Sequence, residues 1–145
     1  MSFKLHPKLA EDCHYLGDFQ LCALLLSKDA NYPWYILVPR QADISEAFQL
    51  SKLDQQMLQH ESLQLSHALS KEFSADKMNI AALGNMVPQL HLHHIVRYKN
   101  DIAWPNPIWG YASAKAYSEP SLKERIHKTH QLLNNLGFTH KQQIG

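Results

Sequence analysis

The stretch Gly84-Asn85-Met86-Val87-Pro88-Gln89-Leu90-His91-Leu92-His93-His94-Ile95-Val96-Arg97 decides the reading of this chain. Strand period two puts Gln89, His91 and His93 on one face. Leu90, Leu92 and His94 fall on the other. One face thus carries three polar side chains in a line, and the other is mostly apolar. Same-face neighbours on a strand lie about 6–7 Å apart. That is close enough for two imidazoles and an amide to surround one phosphate-sized group. The pattern predicts a strand from Leu90 to Tyr98, entered through a turn at Gly84-Asn85.

Working outward, Met78 to Leu83 reads as the preceding strand, and Ile102 to Tyr111 as a loop punctuated by Trp104-Pro105 and Pro107. Ser51, with Asp54 three residues on, signals a helix start. Leu53, Met57, Leu58, Leu65, Ala68, Leu69 and Phe73 then recur at helical spacing, an apolar stripe that reads as core. Phe19–Leu26 and Trp34–Val38 are apolar runs joined by the turn-rich Ser27–Tyr32, an antiparallel hairpin. Short helices are expected over Pro7–His14 and within Asp43–Leu50, with a turn at Gly17-Asp18. A last helix opens at Ser121, with Glu124 completing a capping box, and ends near Leu136 before Gly137. The expected fold is α+β: an antiparallel sheet of four or five strands with two main helices packed on one face. No repeat or linker divides residues 1–145, so a single domain is expected.

Composition narrows the function. Of 145 residues, 45% are hydrophobic and 19% charged, which argues against disorder. Fourteen Lys and Arg against thirteen Asp and Glu leave a net charge of +1, with no basic excess for a long nucleic acid. Cys13 and Cys22 match no zinc-ligand spacing and read as thiols of a reducing compartment. The N-terminus lacks the apolar core of a signal peptide, and the apolar run Leu21–Leu26 is too short to cross a membrane. A cytoplasmic protein without a membrane partner is expected. Histidine is over-used, with ten residues, three of them at His91, His93 and His94.

A line of Gln, His and His suits displacement at phosphorus. A neutral imidazole is a good nucleophile near pH 7. Its attack gives a phospho- or nucleotidyl-histidine and splits one hard step into two easier ones. A neighbouring imidazole, the Asn85 amide and backbone N–H groups after Gly84 can stabilise the phosphoryl oxygens. Two other readings stand beside this one. His-x-His can chelate zinc, although no Asp, Glu or Cys lies near in sequence. The histidines can also simply decorate a sheet face.

The stretch resembles the signature of the histidine triad (HIT) superfamily of nucleotide hydrolases and transferases, His-φ-His-φ-His-φ-φ with φ apolar. The resemblance spans about residues 19 to 110. Gly84-Asn85-Met86-Val87 is similar to the family's Gly-Gln-Ser/Thr-Val lead-in. Tyr35-Ile36-Leu37-Val38-Pro39-Arg40 is similar to its strand ending in Pro-Lys/Arg, and Ile44-Ser45 to the Ile-Ser after it. Trp104-Pro105 resembles a Trp-Pro of the nucleoside-phosphoramidase branch.

The resemblance implies His91 as the nucleophile, His93 as the phosphoryl and leaving-group contact, and Asn85 with the backbone around Met86 as the phosphate cradle. It also implies a homodimer and a small nucleotide as the partner. No cofactor or metal is called for. Gln89 replaces the first His of the pattern and is expected to orient His91 or bind phosphate. His94 sits where an apolar residue belongs and, facing away, reads as packing, interface or surface. Trp34 stands where many relatives have another His. Asp29 and Asn31 are candidates for ribose contact, Arg97 for phosphate contact or an acid partner, and Trp104 and Trp109 for base contact or loop core.

These features give an enzyme acting at the α-phosphorus of a nucleoside phosphate, dinucleoside polyphosphate or nucleoside phosphoramidate. A nucleotide-binding module weakened by Gln89 is the second reading, and a His-ligated metalloprotein the third.

Overall fold

The computed structural model describes residues 2–141. Along the chain it forms α1 (Pro7–Asp12), β1 (Cys13–Asp18), β2 (Cys22–Ser27), β3 (Trp34–Pro39), α2 (Lys52–Glu72), β4 (Lys77–Ala81), β5 (Leu92–Arg97), α3 (Glu119–Leu133) and β6 (Thr139–His140). The six strands make one sheet in the order β4-β5-β3-β2-β1-β6, and every neighbouring pair is antiparallel. The architecture is α+β, with α2 and α3 as the two long helices.

Strand alternation assigns two faces. Leu24 and Leu26 of β2, Tyr35 and Leu37 of β3 and Val96 of β5 join Leu58, Leu65 and Leu69 of α2 and Leu133 of α3 in the main core. Ser51 caps α2 as its sequence signals, accepting the Asp54 N–H at 3.1 Å. The opposite face is covered as well. Leu9 of α1, with Phe3, Leu5 and Val87, packs on Ala23, Leu25, Ile36 and Val38. Tyr32, Ala103 and Ile108 pack on Ile95. Burial on both faces explains why β2 is apolar without alternation.

Several expectations are corrected. The sheet has six strands, because β1 and β6 pair at an edge where the sequence suggested a helix end and a turn. His14 belongs to β1, and Gly17 lies in that strand next to a register shift. A Cβ on Gly17 would meet the Thr139 carbonyl oxygen at 2.2 Å and the Phe138 ring at 2.5 Å. This glycine serves a close approach, not a turn. The turn is at Phe19–Leu21. Buried Glu61 of α2 accepts the N–H groups of Leu21 and Cys22, each at 2.9 Å, and so fixes the point where the turn enters β2.

Only a single 3-10 turn, Ala47–Gln49, forms within Asp43–Leu50. Ser118, not Ser121, caps α3. β5 begins at Leu92, so Gln89 and His91 lie on the segment leading into it.

Candidate active site

His91, just before β5, and His93, within it, lie side by side, and both are buried, each 7% exposed. Their ring centroids are 5.0 Å apart in an edge arrangement. The His91 ring is oriented by main chain. Its Nδ1 lies 2.7 Å from the carbonyl oxygen of Gln89. A carbonyl only accepts, so Nδ1 carries the hydrogen, and in the neutral ring Nε2 presents a bare lone pair. This is the state a nucleophilic imidazole needs.

His93 is held differently. It sits in β5 opposite Ile36 of β3 and Ala81 of β4. The indole N–H of Trp34, diagonal to it on β3, donates to His93 Nδ1 at 3.0 Å. Trp34 and Trp109 flank the His93 ring with centroids at 5.6 and 5.2 Å. Burial, then the neighbouring His91 and His94, push the His93 pKa down to about 3.

The side chain of Gln89 takes no part in orienting His91. Its Oε1 accepts the His6 N–H at 2.8 Å, and its Nε2 donates to the Lys4 carbonyl at 2.9 Å. The amide staples the N-terminal segment beside the site, while the carbonyl of the same residue orients the His91 ring. The expectation of a side-chain role at His91 is corrected accordingly.

His94 faces α2, as its parity predicts, and is fully buried. Its Nδ1–H donates to the Leu92 carbonyl at 3.0 Å, so its bare Nε2 accepts from the Ser62 hydroxyl at 2.7 Å. Burial pushes its pKa down to about 4. His94 is core packing, not chemistry.

A cleft of about 590 Å³ opens between Trp34 and Trp109, with Ile108, Lys28, Asp29 and Lys115 on its walls. Asp29 thus lies at the cleft, and its Oδ1 accepts the N–H groups of Asn31 and Lys115 at 2.9 and 3.1 Å. Asn85 and Met86 lie on the loop between β4 and β5, exposed, with the Met86 side chain 90% accessible.

Two expected contacts lie elsewhere. Arg97 shares the face of His93 but is 2% exposed beneath the loop that follows β5. It pairs with Asp101 through Nε at 2.7 Å and Nη2 at 3.0 Å, and its remaining bonds go to Asn79 and the Asn106 carbonyl. Four of its five N–H donors are bonded within the protein and the side chain is buried, so it is not presented to a substrate phosphate. Trp104 lies against this guanidinium, 5.6 Å from its centre, rather than over the histidines. Trp109 is the loop tryptophan that reaches His93.

The Lys4–His6 contact with Gln89 spans more than 80 residues of sequence and leaves no local signal. Trp34 was legible only as a departure from a family pattern. Among the described residues, no group of three or more His, Cys, Asp or Glu is arranged to hold a metal ion, and no helix is long and apolar enough to cross a membrane.

Comparison with known proteins agrees with this geometry. The HIT domain family matches residues 8–100. A histidine triad protein of Marinobacter aquaeolei is 49% identical and superposes with a TM-score of 0.91, over 94% of this chain and 99% of that one. One from Bradyrhizobium japonicum is 42% identical, with a TM-score of 0.89 over 90% and 98% of the two chains. One from Sinorhizobium meliloti is 42% identical, with a TM-score of 0.83 over 87% and 96%. No curated protein matches the chain. The family match covers well over half of the residues and carries the oriented histidine pair with it, so the chain belongs to the HIT domain family.

Proposed function

We propose that this protein is a nucleotide hydrolase or nucleotidyl transferase acting at an α-phosphorus through a nucleotidyl-His91 intermediate. Nucleotide-binding and hydrolase-type chemistry is what HIT membership suggests. The observation that carries the finer reading is the 2.7 Å bond from His91 Nδ1 to the Gln89 carbonyl, which leaves Nε2 bare beside His93. In the first step the Nε2 lone pair forms a bond to phosphorus while the bond to the leaving group breaks. His93 hydrogen-bonds a phosphoryl oxygen or the departing atom. In the second step the oxygen of water or another acceptor forms a bond to phosphorus, the P–N bond breaks, His91 regains its lone pair and the acceptor's proton passes to solvent.

The nucleoside is assigned to the cleft between Trp34 and Trp109, with the free oxygen of Asp29 facing the ribose. Asn85 and the Met86 N–H serve the phosphate. Dinucleoside polyphosphates and nucleoside phosphoramidates both fit this chemistry.

A homodimer is part of the proposal. β4 is an edge strand, and Ile80 on it and Leu83 just after it are 44% and 45% exposed. Light scattering at working concentration checks the dimer. The buried free thiols of Cys13 and Cys22 suit a reducing cytoplasm.

The mechanism is tested by rapid quench and intact mass with adenylated and guanylated substrates. A nucleotidyl adduct is expected on the native chain and none on His91→Ala, which should still bind nucleotide. Native-like hydrolysis by His91→Ala would sink the mechanism.

A further inference from the structure

We propose that Trp34 is a positioning residue that locks His93 as a neutral Nε2–H donor, and that this lock selects substrates whose leaving group departs as a stable anion, phosphoanhydrides over phosphoramidates. The inference rests on the function proposed above and names the leaving-group class that it leaves open.

The indole N–H of Trp34 can only donate, and it donates to His93 Nδ1 at 3.0 Å. Nδ1 must therefore hold a lone pair, so the single proton of the neutral ring is on Nε2. An imidazolium has N–H on both nitrogens and would set two donors against each other at this contact. Protonating His93 means breaking the bond to Trp34.

The surroundings act in the same direction. His93 is packed between Trp34 and Trp109, with Ile36 and Ala81 opposite it on the adjoining strands. The titratable groups acting on it are His91 and His94, and both disfavour a positive charge there. Glu11, Asp12, Lys28, Asp29 and Lys115 line the cleft that Trp34 and Trp109 bound, and none of them bonds to His93.

His91 and His93 thus present opposite tautomers to one space. His91 offers a lone pair, and His93 offers an N–H. A neutral imidazole N–H stabilises a departing oxygen by hydrogen bonding. It does not release its proton near pH 7, because that would leave an imidazolate. A phosphate or nucleotide leaving group needs no proton, since it departs as a stable oxyanion. An amine leaving group must gain one as the P–N bond breaks. With His93 held neutral, that proton has to come from solvent, and the step is slower. A tryptophan at this position is therefore a choice of leaving group, made by a side chain that touches the histidine and not the reacting atoms.

The test has two readouts. Long-range proton–nitrogen NMR of the histidine rings, without substrate, reports tautomer and protonation. The native His93 is expected to show the Nε2–H pattern and to stay neutral down to pH 4.5. Trp34→Phe keeps a ring but loses the donor, and its His93 should protonate at a pH higher by at least about one unit. The kinetic readout is kcat/KM for diadenosine tetraphosphate against an adenosine phosphoramidate with an alkylamine leaving group. The native chain should favour the former by at least about tenfold, and Trp34→Phe should narrow that ratio at pH 6.

A native His93 in the Nδ1–H form, or one that titrates near pH 6.5, overturns the lock whether or not Trp34→Phe folds. Turnover of both substrates with the phosphoramidate preferred overturns the selectivity while leaving the nucleotidyl-His91 mechanism standing. Turnover of neither refutes the proposed function and the selectivity with it, but the NMR result still decides the lock.

Discussion

Replacing Asp101 by Ala should destabilise the fold by about 3–5 kcal/mol, the range for leaving one partner of a buried ion pair uncompensated. The size follows from what Asp101 satisfies. The Arg97 and Asp101 side chains are 2% and 3% exposed and meet at 2.7 Å. The carboxylate also accepts the N–H groups of Tyr98, Ala103 and Trp104 at 3.1, 3.1 and 2.8 Å. Its removal strands a buried guanidinium and frees three loop donors. For a chain of this size, each kcal/mol moves Tm by roughly 2–4 °C, so a fall of about 10 °C is expected. Urea unfolding followed by tryptophan fluorescence measures the loss directly.

The double variant Arg97→Met with Asp101→Leu supplies the control. Apolar replacement of both partners should recover most of the loss, because the cost lies in the orphaned charge. A loss below about 1 kcal/mol for Asp101→Ala would refute the claim that this pair anchors the loop. A double variant no better than the single would assign the cost to the three N–H bonds instead. Low pH has the same sense. Burial pushes the Asp101 carboxyl up, but the Arg97 bonds and the Tyr98 and Trp104 N–H groups hold it below its usual value. Its contribution is therefore complete above the unfolded carboxylate pKa and is lost as pH falls through the lower folded one.

Other predictions concern the histidines, the sheet edge and the staple. His93 and His94 have folded pKa values near 3 and 4 against 6.5 unfolded, so the unfolded chain takes up protons first and stability falls as pH drops from 6.5 towards 4. His94→Leu should flatten that slope in urea titrations run across the range; an unchanged slope would contradict it. Gly17→Ala places a Cβ 2.2 Å from the Thr139 carbonyl, so it should release β6 and speed amide exchange at Thr139 and His140. Exchange as slow as in the native chain would mean the edge tolerates the group. Gln89→His removes the bonds to Lys4 and His6 and should cost about 1–2 kcal/mol in urea unfolding, with turnover rising no more than about threefold. A larger gain would return that side chain to the chemistry.

The sequence exposed the parts of this fold whose causes are local. The α2 stripe, apart from Leu53, which stays exposed in the first turn, and the Ser51 cap depend on residues three or four apart. The β5 alternation separates His93 from His94 by parity alone, and the structure puts them on opposite faces. Features set by distant partners were not legible. Gly17 looks like a turn until Phe138 and Thr139 arrive against it. Arg97 follows the histidines on the correct face, and nothing in that stretch announces that Asp101 will fold back under it. Gln89 fits a substrate-binding amide equally well until residues 4 to 6 are laid beside it. Trp109 and Trp104 sit in similar Pro-rich contexts, and only the path of the loop distinguishes them.

The carbonyl of Gln89 has a consequence for how this site can vary. Orientation of the His91 ring has been delegated to an atom that all twenty amino acids possess. Exchange of the side chain at position 89 leaves that atom in place, so long as the backbone keeps its course. The side chain at this position is thereby free of that task, and here it anchors the segment from Lys4 to His6.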